Sequence, residues 1–199
     1  MRQFHLRGFS HAIGRREYLA AAGAILPACL PIFGEERPKQ ILIIRHAEKN
    51  DSKSDIHLNA RGYARAAALP ALFLPAEFPA RFDTPEFLFA SRKSAHSDRP
   101  VETITPLARA LRLKIDNTFD NEDYAGLARH VLGKPVYAGK TVLICWHHGN
   151  IPALAGAMGI KDAATPWPEM QFDRVWRITF ADAVPALTDL PQRLLPDDS

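Results

Sequence analysis

Short runs of hydrophobic residues recur along the chain, separated by longer stretches in which apolar and polar positions follow a helical period. The runs at 40–44, 87–90 and 141–146 are rich in Ile, Leu, Val and Phe and lack polar alternation. That pattern is typical of parallel strands that are covered on both faces. A further run at 174–180 predicts a late strand.

The stretches between these runs predict four helices, at 59–69, 99–111, 122–132 and 151–158. Pro106 lies inside the second of them, where it predicts a kink. Because strands and helices alternate, we expect an α/β fold, a three-layer α/β/α sandwich with a mostly parallel central sheet. Ligands of such sheets bind at the carboxyl ends of the strands.

Positive charge is concentrated at the start of the chain. The 199 residues carry a formal charge of +3, and residues 1–34 hold four Arg and one Glu and therefore account for all of it. Residues 35–199 hold 21 basic and 21 acidic side chains without a clustered basic run, so no nucleic-acid partner is expected. The composition, 47% hydrophobic and 24% charged, excludes a collagen-like or disordered chain and predicts one globular domain over 35–199.

Residues 1–34 have the features of an export signal peptide. Arg15 and Arg16 precede an uncharged, largely apolar run at 20–33 that contains two Pro. A membrane-spanning helix needs about 20 apolar residues, so this run fits better as the hydrophobic part of a signal that is removed. The arginine pair resembles a twin-arginine signal, although Gly14 stands where Ser or Thr is more usual. These features predict export to the periplasm, with no stable membrane insertion after processing.

The end of this segment leaves alternatives open. Residues 26–29, Leu-Pro-Ala-Cys, resemble the tetrapeptide that precedes a lipid-modified cysteine, which would make the protein a membrane-anchored lipoprotein through Cys29. If cleavage falls beyond Cys29, Cys145 is the one cysteine left and no intrachain disulfide can form. An N-terminal core helix is a further alternative, but it leaves the arginine pair and the Pro-broken run unexplained.

Residues suited to phosphate chemistry follow two of the predicted strands. Arg45 and His46 come after the first strand, and His147 and His148 come after the third. A guanidinium buried at a strand end needs an anionic partner, and its planar fork matches two oxygens of a phosphate. A neutral His46 beside it could attack phosphorus. The alternative is a histidine with a purely structural role next to an ion pair, but the second histidine element favours a phosphate site.

Three segments carry a family resemblance. The segments 45–48 (RHAE), 97–103 (SDRPVET) and 148–150 (HGN) resemble, in this order, the three signatures of the histidine phosphatase superfamily, also called the phosphoglycerate mutase-like fold. Residues 58–62 are similar to the stretch that leads into the first helix of that family. The resemblance spans residues 40 to about 180 and implies the phosphoglycerate mutase-like form of the predicted sandwich.

The resemblance implies a role for each charged group at the strand ends. His46 would be phosphorylated transiently, while Arg45, Arg99 and His148 would surround the phosphoryl group. Adjacent residues on a strand point to opposite faces, so His147 and His148 cannot both serve one phosphate in the same way, and the His-Gly-Asn pattern of the family selects His148. No cofactor is implied, and no metal, because the chain has no HExxH, CxxC or Asp/His cluster with metal-ligand spacing.

The family commonly takes its general acid from a carboxylate between the second Arg and the second His. The acidic cluster at 120–123 lies in that interval, and we select Glu122 as the acid. A solvated cluster that caps the helix at 122–132 is an equally good structural interpretation. Ser91 precedes Arg99 by eight residues, whereas family members often have a Ser about four residues before this Arg, which suggests a local insertion around 92–96.

These features predict a metal-independent phosphatase that hydrolyses a phosphomonoester, or a related phosphorylated compound, through phosphorylated His46. The alternatives are a phosphomutase of the same superfamily and a non-catalytic phosphate-binding module. The short segment between 48 and 58 leaves little structure to cap the site, which favours hydrolysis. The expected partner is a small phosphorylated substrate. His57, His96 and His130 are weaker candidates, expected in a loop, in the insertion and on a helix face.

Overall fold

The computed structural model describes Met1 and residues 37–52, 54–74, 80–161, 166–180 and 184–198. The predicted export signal at 1–34, with Arg15, Arg16 and Cys29, lies outside the described residues apart from Met1. In the part of the chain that is described, no helix is both long enough and apolar enough to cross a membrane.

One mixed sheet forms the centre of the domain. Six strands lie in the described residues: β1 (Gln40–Arg45), β2 (Phe87–Ala90), β3 (Ile115–Asp116), β4 (Thr141–Trp146), β5 (Arg174–Thr179) and β6 (Ala186–Pro191). Their order across the sheet is β3-β2-β4-β1-β5-β6, in which the first four strands are parallel and β5 and β6 are antiparallel to their neighbours. Helices flank the sheet, and the predicted α/β class with a mostly parallel sheet is confirmed.

Four α-helices connect the strands: α1 (Ala60–Ala68), α2 (Arg99–Leu111), α3 (Tyr124–Gly133) and α4 (Ile151–Ala157). The α2 helix continues through Pro106 to Leu111. The α3 helix begins later than predicted, because the side chain of Asp123 caps it by accepting the N–H of Gly126 at 3.1 Å. Glu122 is therefore outside this helix.

Alternate side chains of the central strands enter two different cores. Ile41 and Ile43 of β1 pack in a cluster with residues of α3 and α4, whereas Leu42 and Ile44 pack in a cluster with residues of α2. The strand is buried along its whole length, since both faces of the sheet are covered by helices. This arrangement explains why its sequence shows no polar alternation.

The register of β1 and β4 sets the positions of His46 and His147. The two strands are parallel neighbours, and their last residues, Arg45 and Trp146, are directly paired. The residues that follow, His46 and His147, therefore leave the sheet side by side at its carboxyl edge. The backbone N–H of His46 donates to the carbonyl of Trp146 at 3.0 Å and holds this exit in place.

Candidate active site

Arg45 is a buried cation at the end of β1, with 1% of its surface exposed. Its Nη1 donates to backbone carbonyls of the segment before β5, namely those of Glu169, Gln171 at 3.4 Å and Pro168 at 3.5 Å. Its guanidinium carbon lies 3.9 Å from the ring centre of Phe172. The segment 168–172 therefore fixes one side of the guanidinium.

The two other donor groups of Arg45, Nε and Nη2, are buried and have no hydrogen-bond partner among the residues that the structure describes. These two groups form the side-on fork that binds two oxygens of a phosphate. Burial lowers the pKa of Arg45 to about 10, an effect that Glu169 partly opposes and Arg99 reinforces, so the guanidinium stays charged at neutral pH.

Arg99 begins α2 and is held in a similar way. Its Nη1 donates to the carbonyl of Asp55 at 2.9 Å, and its Nη2 donates to the carbonyl of His96 at 3.1 Å. Its Nε is buried without a partner in the described part of the chain. We call the Nε and Nη2 groups of Arg45 and the Nε group of Arg99 the open donors. A buried charged donor without a partner costs about 1–3 kcal/mol or more, so the three open donors favour binding of an anion.

His46 has the tautomer that a nucleophile needs. Its Nδ1 lies 2.7 Å from the carbonyl oxygen of Ala47, and since a carbonyl can only accept, Nδ1 carries the proton and Nε2 keeps its lone pair. The residue is 2% exposed. Burial holds the pKa of His46 well below its usual value, and the neighbouring His147, Arg45 and Arg99 lower it further against the opposing effect of the Ala47 hydrogen bond. The imidazole is therefore neutral at pH 7.

His147 is the histidine that contacts His46. Their ring centres lie 5.1 Å apart with an interplanar angle of 67°. Burial lowers the pKa of His147 to about 4, with further lowering by Arg99, His148 and Arg45. The histidine beside His46 is therefore His147, the residue that directly follows β4.

His148 shares Arg45 with His147 as an electrostatic neighbour and has Glu169 and Lys49 in addition. Burial lowers the pKa of His148, Arg45 and Lys49 add to this effect, and Glu169 opposes it. The His-Gly-Asn sequence motif points to His148 as the second histidine of the site. The paired ends of β1 and β4 instead place His147 next to His46.

Glu122 lies next to Asn150, the residue that precedes α4 and comes three residues after His147 in the sequence. Its Oε1 accepts from the side-chain amides of Asn150 at 3.1 Å and Asn121 at 3.0 Å, and the carboxylate is exposed. Asn121 in turn is attached to the end of β4, because its carbonyl accepts from the indole of Trp146 at 3.1 Å. Glu122 is therefore tied to the strand end that carries His147 while remaining open to water.

Thr103 connects the loop after His46 to Arg99, a contact that the sequence did not indicate. Its Oγ1 accepts from the backbone N–H of Ala47 at 2.9 Å and donates to the carbonyl of Arg99 at 2.8 Å. Thr103 belongs to the 97–103 segment that carries the family resemblance. Its position in that segment is the one sequence feature that could have pointed to this contact. Its contacts fix the loop after His46 relative to the helix that begins with Arg99.

The remaining candidate residues have other surroundings. Ser91 follows β2, is fully buried, and its Oγ has no partner among the described residues. The half-exposed His57 lies 2.5 Å from Oε1 of Glu102. His130 on α3 pairs with the hydroxyl of Tyr137 at 2.9 Å. Among the described residues, no three His, Cys, Asp or Glu side chains gather in a way that could hold a metal ion.

No protein-family model and no curated protein sequence matches this chain. Solved structures do match it over most of its length. They include a candidate phosphohistidine phosphatase, SixA from Agrobacterium tumefaciens, with 19% identity and a TM-score of 0.50 over 77% of this chain and 97% of that chain. A mycobacterial glucosyl-3-phosphoglycerate phosphatase, Rv2419c, solved with inorganic phosphate, has 14% identity and a TM-score of 0.52 over 75% and 95%. A phosphoserine phosphatase from Entamoeba histolytica, solved with phosphoserine, has 12% identity and a TM-score of 0.51 over 78% and 98%.

These structure neighbours are members of the histidine phosphatase superfamily. At such low identity the likeness establishes the fold. The chain therefore has the phosphoglycerate mutase-like α/β fold that its sequence predicts.

Proposed function

We propose that the protein is a metal-independent phosphatase that hydrolyses a small phosphomonoester through a phosphohistidine on His46. The observation that carries this proposal is the group of three open donors next to a neutral histidine whose Nε2 is free to attack. A phosphate dianion would satisfy the open donors, and its phosphorus would then face Nε2. The fold shared with known phosphatases is consistent with this assignment.

In the first step Nε2 of His46 attacks phosphorus and the bond from phosphorus to the ester oxygen breaks. Charge spreads over the three equatorial oxygens during this transfer, and Arg45 and Arg99 would stabilise it through fixed positive charge. The hydrogen bond from Nδ1 to the Ala47 carbonyl would stabilise the imidazolium-like ring that forms. The leaving oxygen takes a proton, and we assign the carboxyl group of Glu122 as its donor.

In the second step water replaces the histidine. Glu122, now a carboxylate, takes a proton from water as the oxygen attacks phosphorus, and the Nε2–P bond breaks to release inorganic phosphate. The exposure of Glu122 is suited to delivery of water. We assign His147, rather than His148, as the second histidine of the site, because a neutral imidazole beside His46 can donate an N–H to a phosphoryl oxygen.

Hydrolysis of an aryl phosphate in the presence of a chelator tests this function. We expect release of the phenol by the wild type and no detectable release by His46→Ala. His130→Ala, which changes a histidine on α3 that pairs with Tyr137, is the matched control and should retain activity. Absence of hydrolysis by the wild type, or full activity of His46→Ala, would overturn the proposal. Transfer of the phosphoryl group to an added alcohol in preference to water would identify a mutase instead.

We also propose that residues 1–34 direct export, so that the phosphatase acts in the periplasm. The support is the sequence: an arginine pair before an uncharged run of fourteen residues at 20–33, and all of the net positive charge in this segment. Replacing both Arg15 and Arg16 by Lys should leave an unprocessed protein in the cytoplasm if the twin-arginine route is used. Unchanged processing of that variant would argue against this route, and a lipid label on Cys29 would identify a lipoprotein.

A further inference from the structure

A buried ion cluster lies directly behind the loop that carries His46. Arg65 of α1 is 3% exposed, and the side chains of Glu48 and Asp198 are 9% and 2% exposed. Arg65 donates to both oxygens of Asp198 at 2.8 Å, to both oxygens of Glu48 from Nε at 3.1 Å, and to one of them from Nη2 at 2.8 Å. One guanidinium thus joins residues that are 150 positions apart in the sequence.

The charges in this cluster depend on one another. Burial alone would raise the pKa of Asp198, but hydrogen bonds from Arg65 and from the backbone N–H groups of Leu195 and Leu194 lower it to about 2. Burial alone would lower the pKa of Arg65, but its bonds to Asp198 and Glu48 raise it. Removing one member of such a group takes away part of the compensation that the other buried charges receive.

Glu48 connects the ion cluster to His46, because it lies two residues after His46 in the same loop. Its carbonyl accepts from the N–H of Asn59 at 3.0 Å, next to the start of α1. A Cβ atom on Gly62 would lie 2.3 Å from the same carbonyl oxygen, so α1 packs against the loop as closely as a glycine allows. Between His46 and Glu48 lies Ala47, whose carbonyl sets the tautomer of His46.

A second set of contacts connects the C-terminal segment, residues 192–198, to Arg45. The backbone N–H of Gln192, a residue that is 1% exposed, donates to the carbonyl of Asp173 at 2.6 Å, and its side chain donates to the carbonyl of Arg174 at 3.1 Å. Asp173 follows Phe172, whose ring lies against the Arg45 guanidinium. Residues 192–198 therefore contact the supports of both His46 and Arg45.

We propose that the segment 192–198 is a positioning element of the phosphate site, and that Asp198 and Arg65 are positioning residues that act on His46 through Glu48. The effect on turnover rests on the proposed function, whereas the effect on the His46 ring does not. The segment supplies no group to the reaction. Its role is to hold the loop after His46 so that Nε2 remains aimed at phosphorus.

The variant Asp198→Asn tests this role in the full chain, because it keeps the shape of the side chain and removes its charge. Asp189→Asn is the matched control, since it breaks the 2.8 Å ion pair with Arg174 between β5 and β6 without touching the loop at 46–49. A small displacement of a reacting group can cost about 100-fold in rate, so we expect Asp198→Asn to lower kcat by about 10-fold to 100-fold with little change in KM. The control should retain the kcat of the wild type.

Nitrogen-15 NMR of the His46 ring provides a readout that does not need activity. The wild type should show one tautomer with the proton on Nδ1, and Asp198→Asn should show a mixture, whereas Asp189→Asn should match the wild type. If the wild type is inactive but this change occurs, the proposed function fails and the positioning role stands. If kcat and the His46 signals of Asp198→Asn match those of the wild type, the positioning role is overturned.

Arg65→Lys is the second variant, because a lysine keeps the charge but cannot donate to both carboxylates in the same geometry. It should show the same loss of kcat and the same mixed tautomers. Circular dichroism and thermal melting identify a variant that does not fold. If neither Asp198→Asn nor Arg65→Lys folds, the cluster is required for folding and the proposal of a positioning role is overturned.

Discussion

The imidazole rings of His46 and His147 lie edge to face with their centres 5.1 Å apart, and each residue directly follows one of two paired parallel strands. The backbone register of β1 and β4 therefore sets their separation. The adjacent His148 has Arg45, Glu169 and Lys49 as its electrostatic neighbours. This relationship is the basis for our proposal that His147 acts on the phosphoryl group that His46 would receive.

Replacing His147 should affect catalysis more than replacing His148. Loss of one donor to the charge that develops in a transition state costs about 100-fold to 1,000-fold, and we expect His147→Ala to lower kcat/KM by this amount. We expect His148→Ala to lower it by less than about 10-fold, since we assign His148 no hydrogen bond to the phosphoryl group. Steady-state hydrolysis of an aryl phosphate by both variants provides the comparison, and the reverse order of effects would contradict the assignment.

Lysine cannot replace the open donors. Arg45→Lys and Arg99→Lys keep the positive charge but lose the side-on fork, so each should weaken binding of inorganic phosphate by about 10-fold to 100-fold. Isothermal titration calorimetry measures this directly. Arg174→Lys, which alters a guanidinium paired with Asp189 at 2.8 Å, is the control and should bind phosphate as the wild type does. Equal affinity in all three variants would mean that the open donors do not bind phosphate.

Stability should fall as the pH drops from about 6.5 toward 4. Burial and neighbouring positive charge keep the pKa of His46 well below its usual value and lower that of His147 to about 4. In this range the unfolded chain binds protons that the folded protein does not, so each residue lowers the free energy of unfolding by up to about 1.4 kcal/mol per pH unit. Urea unfolding at several pH values measures the slope, which should become shallower in His147→Gln. A slope that His147→Gln leaves unchanged would show that His147 is not held neutral.

Glu122→Gln should separate substrates by their leaving groups. An aryl phosphate with an acidic phenol needs little help from a general acid, whereas an alkyl phosphate needs protonation and should lose about 100-fold in kcat. Asp120→Asn, which removes a carboxylate paired with Arg92 at 2.5 Å, is the control. Equal losses on both substrates, or no loss on either, would remove Glu122 as the acid.

The central strands and the loops after them could be predicted from the sequence, because burial on both faces leaves continuous apolar runs such as those of β1 and β4. The two edge strands, β3 and β6, could not be predicted from the sequence. The β3 strand has only two residues, and β6 is largely exposed or half-buried, so neither presents an apolar run or a clear alternation.

Arg45 and His46 could be named as candidates because they follow a strand, and Arg99 because it lies in the 97–103 segment that carries the family resemblance. The sequence pattern selects His148, whereas the strand register places His147 beside His46, and the role of each histidine in phosphate binding stays a prediction. The cluster of Glu48, Arg65 and Asp198 depends on where the C-terminal segment returns to α1. Such a contact between distant parts of the chain has no local sequence signal.

The central claim is that His46 carries the phosphoryl group during turnover, and trapping of the phosphorylated protein tests it most directly. The wild type is mixed with an aryl phosphate, quenched in alkali because phosphohistidine is labile to acid, and digested for mass spectrometry. We predict one added phosphoryl group on the peptide that contains His46, its absence in His46→Ala, and its presence in His147→Ala at a lower rate of formation. Steady hydrolysis by the wild type without any phosphorylated His46 peptide would contradict the account.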